Sequence, residues 1–182
     1  MPTILHITTH MGGGVGKILS GISCFSHKNP SPFSHRILLL EEPKNLEFFN
    51  TCRECDVAIS VAHHPSDIRT EIEGADIVQL EWWHHPRMAE FLHTFPEIPV
   101  RLIIWSHISG CSYPYLPPEF VLKPHRFLFT SRYSLDNPFW AADQKSQMKR
   151  RTSVINSSGD FSAFLTRSRT PQPFHHRLPG NT

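Results

Sequence analysis

A chain of 182 residues with 39% hydrophobic side chains has the apolar content for one domain with a real core and too little length for several. Its 18 Lys and Arg nearly balance 16 Asp and Glu, leaving a formal charge of +2, so no polycationic surface points to nucleic acid and no such partner is expected. Cys24, Cys52, Cys55 and Cys111 are too few for a disulfide framework, the N-terminus lacks a signal-peptide pattern, and no apolar run approaches the roughly 20 residues of a spanning helix; a reduced, cytoplasmic chain is expected.

Taken in chain order, Ile4-Leu5-His6-Ile7 reads as a buried strand, followed by the glycine-rich "HMGGGVGKIL" of residues 10–19. Val15, Ile18, Leu19, Ile22 and Phe25 then recur at helical spacing. The alternation continues with a strand at Ile37 to Leu40, a helical segment around Leu46, Phe48 and Phe49, and a strand over Asp56 to Ile59. Ile68 and Ile72 mark a helix, Asp76 to Leu80 a strand, and Met88, Phe91, Leu92 and Phe95 a helical stripe that begins after Pro86. Val100 to Trp105 is apolar apart from Arg101, close to what a strand covered on both faces requires, which places Leu102-Ile103-Ile104 at the sheet centre. Arg126 to Phe129 and Ser153 to Ile155 add two strands. Strands alternating with helices predict an α/β fold with a Rossmann-like, doubly wound parallel sheet over residues 1–164. The remainder, 165–182, carries three prolines and no apolar period and reads as an unstructured tail.

In such a sheet, ligands bind outside the carboxyl ends of the strands, where Thr8 to Gly16, Trp82 to Pro86 and His107 to Pro118 fall. The glycine loop is not a Walker A loop, because Met11 and Ile18 stand where a glycine and a Ser or Thr are needed. Nor does it complete the dinucleotide pattern, since Lys17 occupies the third glycine position. It remains either a tight strand-to-helix turn or an anion site built from backbone amides at a helix N-terminus. Trp82, Trp83 and His84 either pack beneath a loop or present ring faces and an imidazole to a sugar. His107 and Ser109 leave the apolar strand as hydrogen-bonding groups, and Ser131 or Ser134 is positioned to cap a following helix while Tyr133 faces the cleft. Cys52-x-x-Cys55 lacks the second ligand pair of a zinc site and the strand–turn–helix setting of a redox centre, and the His63-His64, His84-His85 and His175-His176 doublets lack metal spacing; no metal is expected.

"HITTHMGGGVGKIL", "ADIVQLEWWHHP", "WSHISGC", "FTSRYSLDNP" and "VINSSGDF", in that order, resemble the N-terminal half of a GT-B glycosyltransferase of the family 4 type, over residues 3 to about 165. The resemblance implies a retaining, metal-independent transfer of sugar from a nucleotide-sugar donor to a hydroxyl acceptor, carbohydrate or lipid-linked, in cell-surface or exopolysaccharide synthesis. It implies no cofactor, the nucleotide-sugar being a substrate, and peripheral membrane contact. By that likeness Gly12, Gly13, Gly14, Gly16 and Lys17 approach the donor phosphates, His107 is the cleft histidine of catalysis, and Trp82, Trp83, His84, Ser109 and Tyr133 hold the acceptor. Family members continue into a C-terminal domain whose glutamate pair engages the donor; that domain has no counterpart here, and "RSRTPQPFHHRLPGNT" reads as a foreign ending. On this reading the chain is an acceptor-binding half, inactive alone. The alternative is a non-catalytic α/β module that binds a nucleotide or a protein.

Overall fold

The computed structural model describes residues 1–157; the expected boundary at 164 and the tail 165–182 lie outside the described residues. Seven strands, β1 (Thr3–Thr8), β2 (Ser34–Leu39), β3 (Ala58–Val61), β4 (Ile77–Trp82), β5 (Leu102–Ser106), β6 (Arg126–Phe129) and β7 (Thr152–Val154), form one sheet. They lie in the order β3-β2-β1-β4-β5-β6-β7, and every pair is parallel. The helices between them are α1 (Gly13–Lys28), α2 (Glu47–Glu54), α3 (Pro65–Glu73), α4 (Pro86–His93), α5 (Pro118–Leu122) and α6 (Ala142–Met148). The Rossmann-like α/β architecture read from the alternating pattern is therefore present.

The order reverses between β1 and β4, and that reversal sorts the helices. Right-handed crossovers that run outward from β1 put α1 and α2 on one face, whereas those running from β3 back through β4 to β7 put α3 to α6 on the other. Packing agrees. Leu5, Ile7, Val78, Leu80, Trp82, Ile104, Phe127 and Phe129 form one core with Ile72 of α3, Met88 and Phe91 of α4, Val121 of α5 and Met148 of α6. On the opposite face Ile37 and Leu39 pack with Val15 and Leu19 of α1 and Cys52 of α2. A third, small cluster joins Ile18 of α1 to Trp105 and Leu128.

Several sequence-based boundaries move. β4 runs on through Trp82, so this indole belongs to the sheet: it is buried against Phe120 and points into the larger core. β3 starts two residues later than expected because α2 extends to Glu54 and Asp56 turns at φ 56°. The central strand by position is β4, with β5 beside it; Ile104 and Trp105 are buried, while Leu102 and Ile103 are half-buried. Phe25, read as part of the buried stripe of α1, is 68% exposed, because the stripe Ile18, Ile22, Phe25 runs out over strands that α1 only partly covers.

The expectation of a reduced chain is also corrected. Cys24 of α1 and Cys55, which follows α2, are joined by a disulfide with Cα atoms 5.2 Å apart. The two helices lie side by side on one face, and this brings together residues 31 apart in sequence, a proximity that spacing alone does not reveal. Cys52, the other half of the Cys-x-x-Cys pair, faces inward, buried and in contact with the Ser23 hydroxyl at 3.5 Å. The cytoplasmic expectation loses the support it drew from reduced thiols. No helix among the described residues is long and apolar enough to cross a membrane.

Candidate functional site

Because β1, β4 and β5 are neighbours and parallel, the segments that follow them emerge at one edge of the sheet. The glycine loop leaves β1, residues 83–85 leave β4, and His107 leaves β5. The switch in strand order lies between β1 and β4, and doubly wound sheets bind ligands at the carboxyl edge beside such a reversal.

The glycines divide into two kinds. Gly12 is the N-cap of α1, and its amide donates to Nδ1 of His10 at 2.9 Å. Gly13 takes φ +62°, a left-handed conformation that costs a side-chain-bearing residue energy, and both Gly13 and Gly14 are exposed with open space where a Cβ would stand. Gly16 is different. It is buried, and a Cβ there would lie 2.1 Å from the Met11 carbonyl oxygen and 2.8 Å from the Phe48 ring, so packing accounts for it. Lys17 is half-buried in the next turn, with its carbonyl accepting the Ser20 hydroxyl. No side chain caps α1 and no acidic residue stands in its first turn. The amides at this end therefore present their partial positive charge outward from exposed glycines.

Beside the loop, His10 meets Trp83 edge-on with ring centroids 5.0 Å apart, and His85 lies 5.7 Å from His10 and 4.8 Å from Trp83. Burial, and then the neighbouring His85, lower the pKa of His10 and favour its neutral form. The Gly12 amide needs a lone pair on Nδ1, so the neutral ring carries its proton on Nε2. Trp83 is half-buried, and its indole N–H is buried without a partner among the described residues. His84 is exposed at φ 62° and touches Tyr113 and Trp82 edge-on. His85 caps α4 by accepting the Arg87 amide at 3.2 Å.

His107 is held from beneath by a group that sequence reasoning passed over. Its Nε2 lies 2.7 Å from Oε2 of Glu81, whose side chain is fully buried. Oε1 of the same carboxylate receives the Gln79 amide at 2.8 Å and contacts Nδ1 of His6 at 3.1 Å. His6 in turn contacts Nδ1 of His35 through Nε2 at 2.9 Å. Burial pushes the Glu81 pKa up, but hydrogen bonds from His107 and His6, and the charge those rings carry when protonated, more than reverse this and leave it at about 2. An ionised carboxylate only accepts, so Nε2 of His107 and Nδ1 of His6 must both donate. Neutral His107 then keeps a lone pair on Nδ1. The backbone fixes the ring further, since the His107 amide donates to the Trp82 carbonyl at 2.8 Å.

The remaining expected residues lie in the loops that follow β5 and β6. The Ser109 hydroxyl accepts the Cys111 amide at 3.3 Å, and Gly110 turns at φ +69° with its carbonyl held by buried Asn137. Ser131 caps the short 3-10 turn of Arg132–Asp136, as expected, by accepting the Tyr133 amide. Tyr133 is exposed, and its carbonyl faces the Cys111 thiol at 3.6 Å. The structure thus gathers the glycine loop, Trp83 and His107 around the end of β4, with Ser109 and Tyr133 in adjoining loops, and places Trp82 in the core. Two grooves, of about 460 and 670 Å³, lie elsewhere, and neither is lined by the glycine loop or His107.

Two signals in the sequence pointed to the missed residues. Glu81 is a carboxylate inside the strand Ile77-Val78-Gln79-Leu80-Glu81-Trp82, on the same face as Gln79, and His6 interrupts an otherwise apolar strand. Charged or titratable groups at such positions need partners on the neighbouring strand. Comparison with protein-family models, curated proteins and solved structures finds no match for the chain. The fold and site define a class, a Rossmann-like α/β domain with an open glycine-rich helix start and a carboxylate-anchored histidine at the carboxyl edge of its sheet.

Proposed function

We propose that this domain is the acceptor-side half of a GT-B glycosyltransferase, acting on a nucleotide-sugar donor and a hydroxyl acceptor, with His107 directed at the reacting sugars. The observation that carries the reading is the fully buried Glu81 carboxylate 2.7 Å from His107 at the edge where the uncapped glycine end of α1 also emerges. A buried ionised carboxylate is costly to maintain, and here it fixes the tautomer and orientation of His107, whose side chain is 9% exposed, while buried His6 bonds its other oxygen.

In this role Nδ1 of His107 accepts a hydrogen bond from a sugar hydroxyl. The amides at Gly13 and Gly14 face the leaving diphosphate, whose negative charge grows as the anomeric bond breaks. Trp83 supplies a ring face beside the loop for the apolar face of a sugar. A half-cleft open to water loses much of the electrostatic advantage of an enclosed site, so a facing domain completes the reaction and the isolated chain transfers little. Resemblance to the family 4 pattern supports the substrate classes, and the cytoplasm is where such donors meet the domain.

The reading is tested by saturation-transfer NMR on the purified chain with a panel of methyl glycosides. Saturable contact is expected, weakened at least tenfold in His107→Ala and in Trp83→Ala variants that retain the native circular dichroism spectrum. No saturable contact with any glycoside, or undiminished contact in both variants, overturns it.

A further inference from the structure

The face of the sheet that carries α1 and α2 is covered unevenly. Those helices lie over β1 to β3, and α3 to α6 lie on the opposite face, so among the described residues only the flank of α1 shelters β4 to β6 on this side. There a groove of about 670 Å³ runs between α1 and the sheet, a volume typical of small-molecule sites. Its walls are largely apolar, with Ile18, Ile22 and the exposed Phe25 from the helix and Leu128 from β6, and Lys28, Asn29 and Asn156 also line it.

The floor is polar and incompletely paired. Trp105 lines the groove, is 5% exposed, and its indole N–H is buried without a partner among the described residues. An orphaned buried donor is uncommon enough to ask for a ligand. Gln79, also lining the groove, commits its amide nitrogen to Glu81, and its carbonyl oxygen has no hydrogen bond among the described residues. His35 bonds His6 through Nδ1; burial, and then the neighbouring His6, bring its pKa down to about 4, so near neutral pH it is uncharged. Nε2 of His6 and Nδ1 of His35 share one hydrogen bond, which leaves Nε2 of His35 outside that pair. The Trp105 N–H as donor and the Gln79 carbonyl as acceptor, with the His35 ring beside them, therefore face a largely apolar groove, and the ionised Glu81 places negative charge directly behind this pair.

We propose that this groove is a second binding site, separate from the sheet edge, for an uncharged apolar molecule bearing one hydroxyl. The hydroxyl oxygen accepts the Trp105 indole N–H, its proton is donated to the Gln79 carbonyl, and the hydrocarbon part lies against Ile18, Ile22, Phe25 and Leu128. The site does not depend on the glycosyltransferase reading, because none of its residues belongs to the glycine loop and His107 does not line it.

The probe is 4-propylphenol, with propylbenzene and 4-propylbenzoate as controls, titrated into the full chain and followed by the four tryptophan indole N–H resonances in ¹H–¹⁵N spectra. Trp105 is assigned with Trp105→Phe. The Trp105 resonance is expected to shift saturably with 4-propylphenol, propylbenzene to bind at least tenfold more weakly, and 4-propylbenzoate to leave it unmoved. Ile22→Glu, at a half-buried position that leaves the core intact, abolishes the shift while the rest of the spectrum keeps its dispersion. No saturable shift, as when another segment or a second copy already fills the groove, overturns the proposal. So does equal binding of propylbenzene, a shift confined to Trp82 or Trp83, or unchanged binding by Ile22→Glu.

Discussion

Replacing Glu81 by Gln removes one negative charge from a fully buried site and leaves its shape nearly unchanged. The carboxylate takes hydrogen bonds from His6, His107 and Gln79, whereas a carboxamide offers one oxygen and turns an N–H₂ toward groups that are themselves donors. The folded pKa of about 2 lies below the ordinary value of 4.5, and at 1.36 kcal/mol per unit this depression corresponds to about 3 kcal/mol of stability. Since the pKa is depressed in the folded state, that contribution is fully present above about pH 4.5 and is lost as pH falls from there through about 2. The assay is urea unfolding of the natural chain and Glu81→Gln at intervals from pH 7 to pH 3. Comparing the two at each pH cancels the other carboxylates. The variant is expected to be less stable by about 3 kcal/mol at pH 7, with the gap closing below about pH 4.5. A gap within about 0.5 kcal/mol at pH 7, or one that widens in acid, would refute the buried carboxylate as an ionised anchor.

Gly16→Ala is expected to cost about 2 kcal/mol or more in the same assay, because the added methyl meets the Met11 carbonyl, while Gly14→Ala, facing open space, stays within about 0.5 kcal/mol or gains slightly. Equal effects would remove the distinction between packed and open glycines. The double variant Cys24→Ser, Cys55→Ser is expected to lose about 2–4 kcal/mol through the freed loop, checked by denaturant midpoint. Thiol titration of the denatured, unreduced natural chain should count two free groups, Cys52 and Cys111; four would contradict the pairing. His107→Ala is expected to slow no folding step but to leave Oε2 of Glu81 without its partner, costing about 1–3 kcal/mol by chemical denaturation, and a neutral result would detach His107 from the carboxylate.

Periodicity carried the architecture well, and for a physical reason. Strands buried on both faces of a parallel sheet are largely apolar, so Ile4 to Ile7, broken only by His6, Ile37 to Leu40 and Leu102 to Trp105 stand out against the helical stripes between them. Short elements were less legible. The five-residue α5 is too short to show a period, and α6, rich in Asp, Gln and Lys, buries only Met148. The edge loops could be placed because their chain position follows from the strands, but which side chain turns inward could not. Trp82 and Trp83 are adjacent and chemically alike, yet one ends a strand facing the core and the other starts the loop beside His10. Glu81 and His6 meet only because β1 and β4 become neighbours at the reversal of strand order, 75 residues apart in sequence. The Cys24–Cys55 bond is hidden for the same reason, being set by how two helices pack.

The central claim is that the glycine end of α1 and His107 form one site for a sugar diphosphate and its acceptor, and a ¹H–¹⁵N titration of the chain with nucleoside diphosphates tests it most directly. UDP, GDP and ADP are added in turn, with magnesium omitted, and the backbone amides of Gly12 to Gly14 and the imidazole of His107 are followed. At least one nucleotide is expected to shift the Gly13 and Gly14 amides saturably, with His107 moving in the same titration and Gly16 little affected. Unmoved Gly13 and Gly14 amides with all three nucleotides, or shifts clustered away from the carboxyl edge of the sheet, would contradict the claim.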